Sequence, residues 1–196
     1  MLENIRSKVE PITNKIGLRL SKLGMTPIML SILAIVFSII SAFFYSNLVE
    51  FEINNIISNQ ILGSIFLLIA GLCDMLDGAI ARVAKKSSLR GAFIDSTFDR
   101  VTEIIVFAGL LIGQHAEPIF IFLAITLSML VSYARTKAEA IKVDLRGIGI
   151  AERSERILIL CLFSFINEIR LAIIIITILS SITFIERFIA VMKKSE

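Results

Sequence analysis

The sequence predicts an all-α, polytopic membrane protein with six transmembrane helices and an N-terminal amphipathic interfacial helix. Three observations carry this. Hydrophobic residues make up 56% of the 196, and the mean hydropathy of +0.87 exceeds what a soluble domain of this size shows. Apolar runs long enough to cross hydrocarbon recur along the chain, separated by polar turns. The first two dozen residues instead carry an apolar stripe at helical spacing with basic residues off it. Residues 1–24 are therefore read as a cytoplasmic interfacial helix and 25–196 as one transmembrane domain.

Residues 2–23 place Leu2, Ile5, Val9, Ile12, Ile16, Leu20 and Leu23 at steps of three and four. Arg6, Lys8, Lys15, Arg19 and Lys22 lie off that stripe and suit anionic headgroups. Pro11 is expected to kink or divide this helix. Thr26 suits an N-cap, and Pro27 the first position of the next helix. The six spans are then read at 27–46, 61–84, 89–112, 119–141, 153–166 and 170–192. Polar segment 47–60 carries Glu50 and Glu52, and Lys85 and Lys86 make a basic turn. His115, the only histidine, is read as a solvated loop residue. Cys73 and Cys161 sit in apolar runs and are read as buried thiols, not a disulfide. No cleavable signal peptide is expected, because the first 25 residues lack an apolar core followed by small residues.

Six spans place both termini on one side. The N-terminal segment, the 82–90 turn, the 135–156 region and the C-terminus share it and carry nearly all the Lys and Arg, with Arg170 opposite. By the positive-inside rule that side is cytoplasmic. The expected location is the cell membrane, with both termini and the active site cytoplasmic. No nucleic-acid partner is expected.

The chemistry concentrates between residues 74 and 99, which read Asp74-x2-Asp77-Gly78-x2-Ala81-Arg82-x8-Gly91-x3-Asp95-x3-Asp99. Each buried carboxylate costs ~2.5–3.5 kcal/mol at the centre of a membrane helix, so four at full depth would cost on the order of 10 kcal/mol. Topology moves them to the cytoplasmic interface and lowers that cost. Asp74 and Asp77 are three apart and Asp95 and Asp99 four apart, so each pair shares a helix face. A short 85–88 turn makes the two helices antiparallel neighbours aiming four carboxylates into one gap. One or two magnesium or manganese ions, with phosphate oxygens, suit such a gap. A transporter's polar cavity, relaying protons or sodium, is the other reading of the spacing. It leaves Gly78, Ala81 and Arg82 without a role. Small residues open space for a phosphate, and Arg82 is a phosphate donor one turn on. Gly91 lies on the Asp95 face and lets helices approach closely.

This pattern resembles, without a departure, the signature of the CDP-alcohol phosphotransferase family, Asp-x2-Asp-Gly-x2-Ala-Arg-x8-9-Gly-x3-Asp-x3-Asp. With the six spans and the interfacial helix, the resemblance covers nearly the whole chain. It implies an enzyme that transfers a phosphatidyl-type group from a CDP-linked lipid to an alcohol, releasing CMP. It implies Asp74, Asp77, Asp95 and Asp99 as ligands of Mg2+ or Mn2+, two ions in the usual arrangement. It implies Asp99 as general base, and Asp74, Gly78, Ala81 and Arg82 as the nucleotide side. It also implies a homodimer. A metal-bound carboxylate is a weaker base, so Asp99 works best with one oxygen free of metal.

A second stretch bears on the acceptor. Arg135, Lys137, Arg153 and Arg156 lie at the cytoplasmic ends of neighbouring spans, with Glu152 and Glu155 making a repeated Glu-Arg. Snorkelling at helix ends explains Lys142 and Arg146. The repeated Glu-Arg suggests a held geometry that would suit an acceptor carrying its own phosphate. The segment looks like the corresponding region of the phosphatidylinositol-phosphate synthase branch, which implies Arg135, Lys137, Arg153 and Arg156 as ligands of the phosphate of inositol 1-phosphate, with Arg187 joining them. A composition rich in isoleucine and lysine points to an archaeal source, hence CDP-archaeol as donor and archaetidylinositol phosphate as product, with CDP-diacylglycerol the other donor. Glycerol 3-phosphate as acceptor is the nearest alternative, and a cation transporter the alternative from another class.

Overall fold

The computed structural model describes residues 3–49, 58–83, 88–145 and 147–194, with side chains from residue 10 onward. They form seven α-helices: α1 (Glu3–Lys22), α2 (Pro27–Tyr45), α3 (Asn59–Val83), α4 (Leu89–Ile112), α5 (Pro118–Ala140), α6 (Arg153–Phe165) and α7 (Ile169–Lys194). No strand occurs among the described residues. Local chemistry sets the starts. Thr26 Oγ1 accepts from Met29 N at 3.3 Å, with Pro27 opening α2. Ser88 caps α4 through Gly91 N at 3.0 Å. Helix α1 runs undivided through Pro11. The proline removes one donor, but α1 is braced along α3, where Gly17 faces the backbone of Ala79. The turn at Lys85 and Lys86, the segment with Glu50 and Glu52, and Arg146 lie outside the described residues.

Four helices, α2, α3, α5 and α7, are long and apolar enough to cross a membrane. The other two expected spans differ in kind. Helix α4 carries Arg90, Asp95, Asp99, Arg100 and Glu103. Helix α6 has 13 residues, so it extends ~20 Å at 1.5 Å per residue, short of a hydrocarbon core of roughly 30 Å.

Helix α2 packs on both α3 and α4, whereas α3 and α4 do not pack along each other. This corrects the expectation that the turn makes them direct neighbours. The α2 contacts explain it. The ring of Tyr45 covers Gly63 of α3, and Ser41 Oγ donates to Gly63 O at 2.7 Å. A Cβ on Gly109 of α4 would fall 2.4 Å from Ala42 O. Both helices are thus held against α2, and a gap is left between them that α6 enters from the side of α3. A Gly109→Val variant should lose at least ~1–3 kcal/mol through overpacking, read as a drop in the melting temperature of the detergent-solubilised protein. An unchanged melting temperature would mean that α2 and α4 separate at no cost.

The core gathers Tyr45, Leu67, Phe107, Leu110, Ile121 and Ile173. Tyr45 is fully buried, with its hydroxyl 2.9 Å from Ser164 Oγ. His115 is not a freely solvated loop residue. Its Nε2 lies 2.7 Å from Tyr45 O, where it donates, and ties the α4–α5 loop to the end of α2. Burial pushes its pKa below the usual histidine value. Both cysteines are free, Cys161 buried and Cys73 half-buried.

Candidate active site

The gap between α3 and α4 holds the carboxylates. Oxygens of Asp74, Asp95 and Asp99 all lie within 4.8 Å of one another. Asp77 stands apart from that set. It is 3% exposed and accepts from Ser31 Oγ of α2 at 2.6 Å. Three of the four expected carboxylates thus converge in this structure, while Oδ2 of the fourth, Asp77, is engaged by Ser31 of α2. Three hard carboxylate oxygens at such separations fit magnesium or manganese by donor type.

The nucleotide-side candidates line α3. Arg82 is half-exposed, and its Nε is 3.6 Å from Glu10 Oε1 of α1. A Cβ on Gly78 would lie 3.3 Å from Arg82 Nη1. The glycine therefore lets the guanidinium lie along the helix face. Ala81 is half-buried beside it, and Gly91 opens α4.

The basic candidates divide into two groups. Arg153, at the start of α6, reaches into the cluster itself. Its Nη1 lies 2.8 Å from Asp74 Oδ2 and 2.6 Å from Asp99 Oδ1, and its Nη2 donates to Thr102 Oγ1 at 2.8 Å. Its Nε has no hydrogen-bond partner, and neither does Asp99 Oδ1, whose contact with Arg153 is an ion contact without hydrogen-bond alignment. Arg135 bonds Glu139 at 3.1 Å and lies 3.5 Å from Glu152, and Lys137 is exposed. Arg156 does not join them. It is 1% exposed, and all three of its nitrogens are committed: Nε and Nη2 to Glu103 at 2.8 and 2.9 Å, and Nη1 to Ala151 O at 2.8 Å. Arg156, expected to meet a phosphate, is held here in that buried, two-pronged pair. Arg187 is likewise taken up, by Ile148 O, Val131 O and Glu152 Oε1. It clamps the loop before α6, whose Ile150 and Ala151 amides both donate to Thr183 Oγ1.

Three residues of this constellation escaped sequence reasoning. Glu103 continues the Asp95 and Asp99 spacing by another four residues, a signal that was available. Thr102 seats Arg153 while its hydroxyl donates to Asp99 O at 2.9 Å. Ser31 carries no sequence signal of its partnership with Asp77. Beneath the cluster, a cavity of about 20 Å³ is lined by Ser38, Gly71, Thr102, Glu103, Arg153 and Arg156, among others, enough for one water.

Residues 24–191 match the family model described as CDP-alcohol phosphatidyltransferase. The chain belongs to this family. It is similar over all 196 residues, at 37% identity, to an archaetidylinositol phosphate synthase of Pyrococcus horikoshii, covering 99% of that protein. It is similar in fold to the phosphatidylinositol phosphate synthase of Mycobacterium tuberculosis with CDP-DAG bound, with a TM-score of 0.77 and 26% identity over 92% of this chain and 94% of that one. The same mycobacterial protein in complex with manganese and citrate matches with a TM-score of 0.76 and 26% identity, over 91% of this chain and 88% of that one. The chain is therefore a membrane-embedded transferase of the phospholipid-synthesising CDP-alcohol phosphatidyltransferase family.

Proposed function

We propose that this enzyme transfers the phosphatidyl-type group of a CDP-linked lipid to inositol 1-phosphate and releases CMP. The observation that carries this reading is Arg153, an arginine with an unpartnered Nε set directly against the aspartate cluster. A guanidinium there suits an acceptor bearing its own phosphate, held with its hydroxyl near Asp99. Arg135 and Lys137 complete that pocket, and Arg156 stays outside it. The names of the relatives support inositol phosphate as the acceptor, and the archaeal relative supports CDP-archaeol as the donor.

Asp74, Asp95 and Asp99 would hold Mg2+ or Mn2+, with Asp77 the fourth signature carboxylate. The metal, when bound, neutralises diphosphate charge and polarises the attacked phosphorus. Asp99 accepts the proton of the acceptor hydroxyl, whose oxygen bonds to the lipid phosphorus. The bond from that phosphorus to CMP breaks, and CMP leaves with the electron pair. Gly78, Ala81 and Arg82 line the nucleotide side, with Asp74 beside them.

The reading includes six spans, an interfacial α1 and a cytoplasmic active site, in a homodimer. Exposed Ile12 and Ile16, with Leu23 just past the helix end, give α1 an apolar face toward the membrane. The pairing of Glu103 with Arg156 cancels charge between α4 and α6 and lets both lie among apolar helices. The family match beginning at residue 24 supports setting α1 apart from the transferase domain.

The test is CMP release from a CDP-lipid by purified protein across an acceptor panel. Release is expected with inositol 1-phosphate and Mg2+ or Mn2+, and not with serine or free inositol. Release with glycerol 3-phosphate in place of inositol 1-phosphate would move the acceptor to a glycerophosphate. No release with any acceptor would overturn the enzymatic assignment of this site.

A further inference from the structure

One guanidinium nitrogen of Arg153 stands between two carboxylate oxygens of the cluster, 2.8 Å from Asp74 Oδ2 and 2.6 Å from Asp99 Oδ1. A divalent cation bridging those two oxygens needs the same place between them, where it and the guanidinium would repel. The rest of the arginine is set for release. Its Nη2 is held by one neutral hydroxyl, that of Thr102, and its Nε by nothing. Arg100, the other arginine beside the cluster, is differently placed. Its Nη1 donates to Ser96 O and Ser96 Oγ and stays 3.8 Å from Asp99 Oδ2.

We propose that Arg153 is an exchangeable counter-cation of the metal site: a divalent cation displaces its guanidinium from Asp74 and Asp99, and the freed guanidinium turns to the acceptor's phosphate. The second half rests on the reading of Arg153 as an acceptor ligand, and the first half does not. The arrangement orders the reaction. An acceptor phosphate is gripped only once the metal that activates the donor is in place. By linkage, the acceptor tightens metal binding by the same factor as the metal tightens acceptor binding.

The experiment uses the full-length protein in detergent without CDP-lipid, with free Mn2+ followed by electron paramagnetic resonance. Arg153→Ala is expected to bind Mn2+ about tenfold more tightly, because a charge-assisted contact no longer competes. Arg100→Ala, which removes the same charge from beside the cluster, is expected to change affinity less than about threefold. Thr102→Val keeps every charge, removes the hydroxyl that seats Arg153 and that donates to Asp99 O, and should raise Mn2+ affinity severalfold. It decides the matter if Arg153→Ala fails to fold. Equal gains in the two arginine variants, or no gain in Arg153→Ala and Thr102→Val, would overturn the exchange. In a second arm, calorimetry should show inositol 1-phosphate binding more tightly with Mn2+ than without it in the wild type. Tightening of equal size in Arg153→Ala would overturn the coupling. No binding of inositol 1-phosphate under either condition would overturn the acceptor reading, while the Mn2+ titration still decides the exchange.

Discussion

An Asp99→Asn variant is expected to lose turnover by about a thousandfold or more while still binding the CDP-lipid. General-base catalysis alone contributes about 10²- to 10⁴-fold. Asparagine keeps the shape of the side chain but has no charge and no proton affinity in the working range. The position concentrates several demands. Asp99 Oδ1 is buried against Arg153 at 2.6 Å and makes no hydrogen bond, so it takes up a proton or a metal once that guanidinium moves away. Oδ2 looks toward Arg100 at 3.8 Å. Equilibrium binding of a CDP-lipid, measured without acceptor, separates the two roles. Retained binding with lost turnover fits the base. Lost binding would mean that the chief service of Asp99 is to hold metal.

The largest effect on stability is expected at Arg156. Arg156→Ala would leave Glu103 as an uncompensated charge in a site where the two side chains are 2% and 5% exposed. Breaking such a pair from one side costs about 3–5 kcal/mol. The Ala151 carbonyl also loses its partner, at about 1–3 kcal/mol for a buried group. The single variant should therefore express poorly or melt far below the wild type. The double variant Glu103→Leu with Arg156→Met removes both charges and should recover much of that loss, short of the Ala151 bond. The recovered protein should keep the wild-type Michaelis constant for the acceptor. A large rise in that constant, with the fold intact, would return Arg156 to the phosphate pocket.

The helices were legible because their starts are chemical. Thr26-Pro27 and Ser88 cap α2 and α4 at the starts the sequence predicts, and α4 spans the predicted 89–112. Their mutual packing was less legible. The spacing of Asp74, Asp77, Asp95 and Asp99 told which faces they share, but not that α2 holds α3 and α4 apart through Gly63 and Gly109. That arrangement depends on contacts between residues 46 apart in sequence, such as Ser31 with Asp77, which no local pattern encodes. The basic stretch shows the same divide. Its repeated Glu-Arg did signal held geometry, yet one arginine of the repeat meets the aspartates and the other meets Glu103. Which does which is settled by one turn of α6. The step of four residues from Asp99 to Glu103 puts a third acidic position on that face, and its partner is Arg156 of the basic stretch.

The most direct measurement of the central claim is the identity of the lipid product. Purified protein is incubated with CDP-archaeol, Mn2+ and inositol 1-phosphate, and the lipid and CMP are quantified by mass spectrometry. The predicted result is one inositol-phosphate-bearing lipid per CMP released. CMP released with no acceptor carried into the lipid, or a lipid product bearing no second phosphate, would contradict the account.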